Sequence, residues 1–118
     1  MYQEISVIED DTKLTTKLKN IFAEEKDYIF TNVHSEDVIE GIKTIPDLII
    51  IDEDNIETDI IEICDNIRNY NDNSITPIVV ISSNITKEHR LEILKCNVEY
   101  FIKSPMDEEY IYYTIRNI

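Results

Sequence analysis

Three short apolar runs each end on a residue that can do chemistry. Leu48-Ile49-Ile50-Ile51 leads into Asp52, Ile5-Ser6-Val7-Ile8 into Glu9-Asp10-Asp11, and Ile78-Val79-Val80-Ile81 into Ser82. A shorter run, Glu99 to Ile102, is followed by Lys103. Carboxylates gathered from Glu9, Asp10 and Asp52 would repel one another strongly and raise a pKa. A divalent cation removes that conflict, and Mg²⁺ suits carboxylate oxygens while keeping several waters. Such an ion leaves coordination positions for a phosphoryl oxygen. Asp52 would then be the nucleophile, with the Ser82 hydroxyl and the Lys103 ammonium completing a phosphoryl-transfer pocket.

The elements needed to gather these residues are legible. Buried parallel strands read as continuous β-branched runs, and the runs at 4–8, 47–52 and 77–82 have that character. Weaker strands are expected at 27–33 and 99–102. Helical spacing places Leu14, Leu18, Ile21 and Phe22 on one face of a helix over 13–26. A short helix is expected from Ser35, another over 59–70 with Ile60, Ile63, Cys64 and Ile67 inward, and a polar turn at 71–74. Thr86 is expected to cap a fourth helix with Leu91, Ile93 and Leu94 partly inward. Asp107 opens a last helix with Ile111, Ile115 and Ile118 on one face. Strands alternating with helices imply βαβ units and right-handed crossovers, so the strand carboxyl ends share one edge. The fold class is α/β: a single doubly wound domain, residues 1–118, with a five-stranded parallel sheet.

Composition narrows the functions. Of 118 residues, 42% are hydrophobic and 31% charged, which is globular. The single glycine, Gly41, argues against glycine-rich phosphate loops. The net charge of −14 argues against direct binding of nucleic acid or an anionic membrane, and suits a cation or a basic partner. No apolar run reaches membrane-spanning length and no signal peptide precedes the first strand, so a cytoplasmic protein is expected. Cys64 and Cys96 then read as unpaired thiols. His34 and His89 read as ordinary surface residues.

On these motifs the chain resembles the receiver domains of bacterial two-component response regulators, over residues 3–118. Glu9-Asp10 matches the acidic pair after the family's first strand. Asp52 after Pro46-Asp47-Leu48-Ile49-Ile50-Ile51 matches its phosphoacceptor. Ser82 matches the hydroxyl residue ending the fourth strand, and Lys103, three after Tyr100, its lysine. The resemblance implies a flavodoxin-like (βα)5 fold with strand order 2-1-3-4-5. It also implies Mg²⁺ held by Asp10, Asp52 and the backbone carbonyl of Asp54, with Glu9 acting through water. Asp52 would take phosphate from a histidine kinase or phosphotransfer protein, and Ser82 and Tyr100 would switch an output surface. Such a protein is a signalling phosphoacceptor rather than an enzyme, beyond self-catalysed phosphotransfer and autodephosphorylation. A C-terminal effector domain beyond Ile118 and a homodimer through the last two helices and last strand belong to the same implication.

The chain departs from the family pattern in places. Pro-Gly is missing after Asp52, Asp54 adds an acid, and Cys96-Asn97-Val98 replaces Gly-Ala before the last strand. Lys103 is followed by Ser104-Pro105 rather than by proline, so a cis bond after the lysine would fall at Lys103–Ser104 or be missing. The segment from Ser82 to Lys103 is one residue short. The alternatives are a degenerate receiver acting as a phosphorylation-independent interaction module, an aspartyl phosphatase using Asp54 as its second acid, and an FMN carrier, which the acidic turn would repel.

Overall fold

The computed structural model describes residues 2–42, 45–69 and 75–118. The turn expected at 71–74 and the end of the third helix at Tyr70 lie outside the described residues. Five parallel strands, β1 (Gln3–Ile8), β2 (Tyr28–Val33), β3 (Leu48–Asp52), β4 (Ile78–Ser82) and β5 (Tyr100–Lys103), pair in the order β2-β1-β3-β4-β5. The helices are α1 (Lys13–Ile21), α2 (Val38–Gly41), α3 (Ile60–Asn69), α4 (Lys87–Leu94) and α5 (Glu108–Arg116). The doubly wound arrangement expected from the strand and helix signals is present.

The sheet separates two apolar cores. On one face Ile5, Val7, Ile50, Val79, Ile81 and Ile102 pack with Leu14 and Leu18 of α1, with Phe22 just after it, and with Ile111 and Ile115 of α5. On the other, Ile8, Ile49, Ile51, Ile78 and Val80 pack with α2, with Ile60, Ile63, Cys64 and Ile67 of α3, and with Ile93 and Cys96. Successive strand residues point to opposite faces, so both halves of each β-branched run are buried, as two-sided strands require. The registers Ile8↔Ile51 and Ile51↔Val80 align the three central strands. Their carboxyl ends therefore open onto one edge. No helix among the described residues is long and apolar enough to cross a membrane.

Several boundaries differ from the sequence expectation. Helix α1 stops at Ile21 rather than Lys26. Acids at a helix C-terminus oppose its dipole, and Glu25 leaves the helix to meet the Tyr112 hydroxyl and the Arg116 guanidinium. Phe22 then packs against Tyr28, Phe30 and Tyr112. Ser35 does not cap a helix. It begins a 3-10 turn, Ser35–Asp37, in which the His34 ring accepts from the Glu36 amide. In α4 only Ile93 is buried, while Leu91 and Leu94 are exposed. Thr86 does cap it, accepting from the His89 amide. Asp107 caps α5 through the amides of Glu109 and Tyr110, and Ile118 stays exposed. Asn97 replaces the expected glycine with φ of 56°, a left-handed conformation asparagine tolerates after a helix. Arg68 fixes this corner by donating to the carbonyls of Thr76 and Asn97.

Candidate functional site

Asp52 is the last residue of β3 and the only one of that strand that is not buried. It lies on the face of Ile50, toward α1 and α5. Burial pushes its carboxyl pKa up to about 6, and the charges of Glu9, Asp54 and Asp11 add to the rise, partly offset by a hydrogen bond from the Asp54 amide. The structure thus gathers negative charge around the residue expected to be the nucleophile.

The three acids after β1 go separate ways. Glu9, on the Val7 face, is fully buried. One carboxylate oxygen accepts from the Leu14 amide at 3.0 Å, and the other from the Thr15 amide at 2.7 Å and the Thr15 hydroxyl at 2.6 Å. Glu9 therefore satisfies the free amides of the first turn of α1, a role a helix N-terminus always leaves open. Thr12 makes no side-chain cap. Asp10 points to the opposite face. Its carboxylate accepts from the Ser35 amide at 2.8 Å, the Ser35 hydroxyl at 3.0 Å and the Glu57 amide at 2.6 Å. Burial would raise its pKa, but the Ser35 and Glu57 hydrogen bonds and the nearby His34 hold it below the usual carboxylate range. Asp11 returns toward Asp52; the Lys13 amide it accepts, outweighing a small burial effect, lowers its pKa. The expected convergence of Glu9, Asp10 and Asp52 is thus realised for Glu9 and not for Asp10. Among the described residues no three His, Cys, Asp or Glu side chains form a ready metal-binding group. The donor chemistry still fits Mg²⁺: hard carboxylate oxygens crowd Asp52, whose raised pKa marks charge that a cation would relieve.

At the end of β4, Ser82 is fully buried and its hydroxyl accepts from the Asn84 amide at 3.0 Å. The neighbouring Ser83 gives its amide and its hydroxyl to the Asp54 carboxylate, at 3.0 and 2.8 Å. A strand-end amide beside Asp52 is therefore already holding an anion, the side chain of Asp54. Sequence reasoning did not foresee this bond.

The last strand does not place its residues as expected. Lys103 pairs with Ser82 in the ladder. Ile102 belongs to the core on the Asp52 face, and Phe101 packs against the opposite core. Alternation puts Lys103 on the Phe101 side and Ser104 on the Asp52 side. Ser104, with Ile81, Met106, Lys13 and Lys17, lines the cleft that contains Asp52; Lys103 does not. Tyr100, on the Ile102 side and 45% exposed, does not stand behind Ser82. Phe101 shares the Ser82 face and lies under the Arg90 guanidinium, 5.6 Å from its centroid. The cis peptide is Ser104–Pro105, not Lys103–Ser104. Two strand signals could have revealed this: the period of two through 100–104, and a count back from Pro105.

His89 is also more than a surface residue. Its Nε2 lies 2.6 Å from a carboxylate oxygen of Glu53, and both side chains are largely buried. It ties α4 to the residue next to Asp52.

A family model, the response regulator receiver domain, matches residues 5–116. The chain belongs to that family. Solved receiver domains share the fold. The chemotaxis response regulator CheY4 of Vibrio cholerae superposes with a TM-score of 0.84 at 14% identity, covering 99% of this chain and 98% of that one. The receiver domain of the Pseudomonas aeruginosa sensor histidine kinase PA1611, with magnesium coordinated in its active-site cleft, gives 0.81 at 18% identity, covering 99% and 97%. A histidine-kinase receiver domain from Syntrophus aciditrophicus gives 0.82 at 23% identity, covering 98% and 88%. No curated protein matches the chain.

Proposed function

We propose that Asp52 accepts a phosphoryl group from a phosphohistidine and that the domain passes the resulting change to an output surface. The observation that carries this reading is Asp52 itself: a carboxylate at the carboxyl end of a doubly buried strand, in the receiver family, whose burial, with the charges of Glu9 and Asp54 added, pushes its pKa up to about 6. An Asp52 oxygen forms the new P–O bond as the P–N bond to the donor imidazole breaks, and the imidazole leaves. Mg²⁺ bound at Asp52 would neutralise charge on the equatorial phosphoryl oxygens. Asp52 and the Asp54 carbonyl are proposed as its ligands, with Glu9 through water. Asp10 would be a further ligand only where its carboxylate left the Ser35 and Glu57 donors it now accepts from. The Ser82 hydroxyl accepts from the Asn84 amide and has its own proton to donate to a phosphoryl oxygen. The partner is a histidine kinase or phosphotransfer protein in the cytoplasm. Exposed Leu91, Leu94, Tyr100 and Tyr113 on α4, β5 and α5 favour that face as the output or dimer surface. An effector domain joined to this one would read it.

A second reading, a receiver used as an interaction module without phosphate, is favoured by two observations. The cleft has Ser104 where a lysine was expected, and Asp54 already occupies the Ser83 amide. Incubation with Mg²⁺ and acetyl phosphate, read by intact-protein mass, separates the two. The phosphoacceptor reading expects a gain of one phosphoryl group that Asp52→Asn abolishes. No gain, from acetyl phosphate or from a phosphorylated kinase domain, supports the second.

A further inference from the structure

We propose that the cation serving Asp52 comes from α1, through Lys13 and Lys17, and not from Lys103 on β5. This rests on reading Asp52 as the phosphoacceptor. Converting the Asp52 carboxylate to an acyl phosphate adds about one further negative charge and moves it outward, at a residue already facing Glu9, Asp54 and Asp11. Some ammonium or guanidinium group must meet that charge as it develops on the equatorial oxygens. Lys103 does not line the cleft that holds Asp52, and the residue after β5 that does, Ser104, is a neutral hydroxyl. The cations that line the Asp52 cleft are Lys13 and Lys17. They stand one turn apart at i and i+4, on one face of α1.

Their present partners are weak. Lys13 lies 4.0 Å from Asp11 with its side chain 90% exposed, and Lys17 lies 3.7 Å from Glu108 with both side chains well exposed. Exposed pairs of this kind hold little energy, so either ammonium is free to turn onto an anion at Asp52. Glu9 fixes the helix that carries them, because it binds the Leu14 and Thr15 amides between the two lysines. The acidic pocket and its cationic wall are therefore built from one strand-to-helix turn. In the transfer step the lysines keep their protons and pair with phosphoryl oxygens; the Asp52–phosphorus bond forms as the bond to the leaving group breaks.

The test compares phosphorylation rates of the whole protein with acetyl phosphate and Mg²⁺, where acetate leaves. Lys13→Met with Lys17→Met is expected to slow phosphorylation about tenfold or more, Lys103→Met to change it less than about twofold, and Lys13→Arg with Lys17→Arg to stay within about threefold of wild type. Thermal melting confirms that each exposed substitution leaves the fold intact, and the single lysine variants serve if the double one does not fold. A Lys13/Lys17 methionine variant as fast as wild type overturns the proposal, and so does a Lys103→Met variant slowed about tenfold or more. A wild-type protein that takes no phosphate from acetyl phosphate or a kinase overturns the phosphoacceptor reading itself, and this inference with it.

Discussion

At Asp52 the same burial that suits chemistry works against stability. Its folded pKa is raised from 3.8 to about 6, so the native state holds the proton more tightly than the unfolded chain. Its full stability contribution is present below the unfolded value and is lost as pH rises through about 6. Without metal, Asp52→Asn is therefore expected to stabilise the protein at pH 7.5 by about 1–2 kcal/mol; the full linkage value of about 3 is reduced by partial solvation and by the bond from Asp54. The gain should vanish near pH 4. Urea unfolding of both proteins at the two pH values checks this, and an equal difference at both would mean that ionisation is not its source. Asp10 behaves in the opposite sense. Its lowered pKa stabilises the fold above the unfolded value and is lost as pH falls. The neighbouring acids in Glu9-Asp10-Asp11 differ because strand alternation sends them to a helix N-terminus, to Ser35, and back toward Asp52.

Among the elements, the central strands and the capped starts of α4 and α5 were legible because unbroken β-branched runs and Thr86 or Asp107 at a helix start act locally. Helix α1 was read too long because its end is set by a distant event, Glu25 reaching Tyr112 and Arg116 of α5. At β5 the motif spacing from Tyr100 to Lys103 prevailed over the period of two. The pleat decides which face a side chain takes, and it gives the Asp52 side to Ser104. The Glu53–His89 bond was invisible for another reason: it joins residues 36 apart that no local pattern connects. It couples the loop after Asp52 to α4. Replacing His89 with glutamine is expected to loosen α4 by about 1 kcal/mol, seen as roughly fivefold faster amide exchange over Lys87–Leu94 with β4 unchanged. Unchanged exchange in α4 would show that the bond carries no coupling.

Across the molecule, two cores on either side of a parallel sheet hold all strand carboxyl ends at one edge; the α/β class followed from strand signals alternating with helix signals, and the strand order from the family resemblance. The site was legible as a set of residue types and only partly as an arrangement. Asp52, Glu9 and Ser82 stand at the expected edge, whereas Asp10 is engaged with Ser35 and Glu57, and the lysines of the cleft belong to α1. With a net charge of −14, the chain still places two lysines of α1 along the cleft that holds Asp52. The most direct test of the account locates the phosphate. After reaction with acetyl phosphate and Mg²⁺, borohydride reduction of the acyl phosphate and peptide mass analysis should convert Asp52, and no other acid, to homoserine. Conversion at Asp10, Asp11 or Asp54 instead, or at none of them, would contradict it.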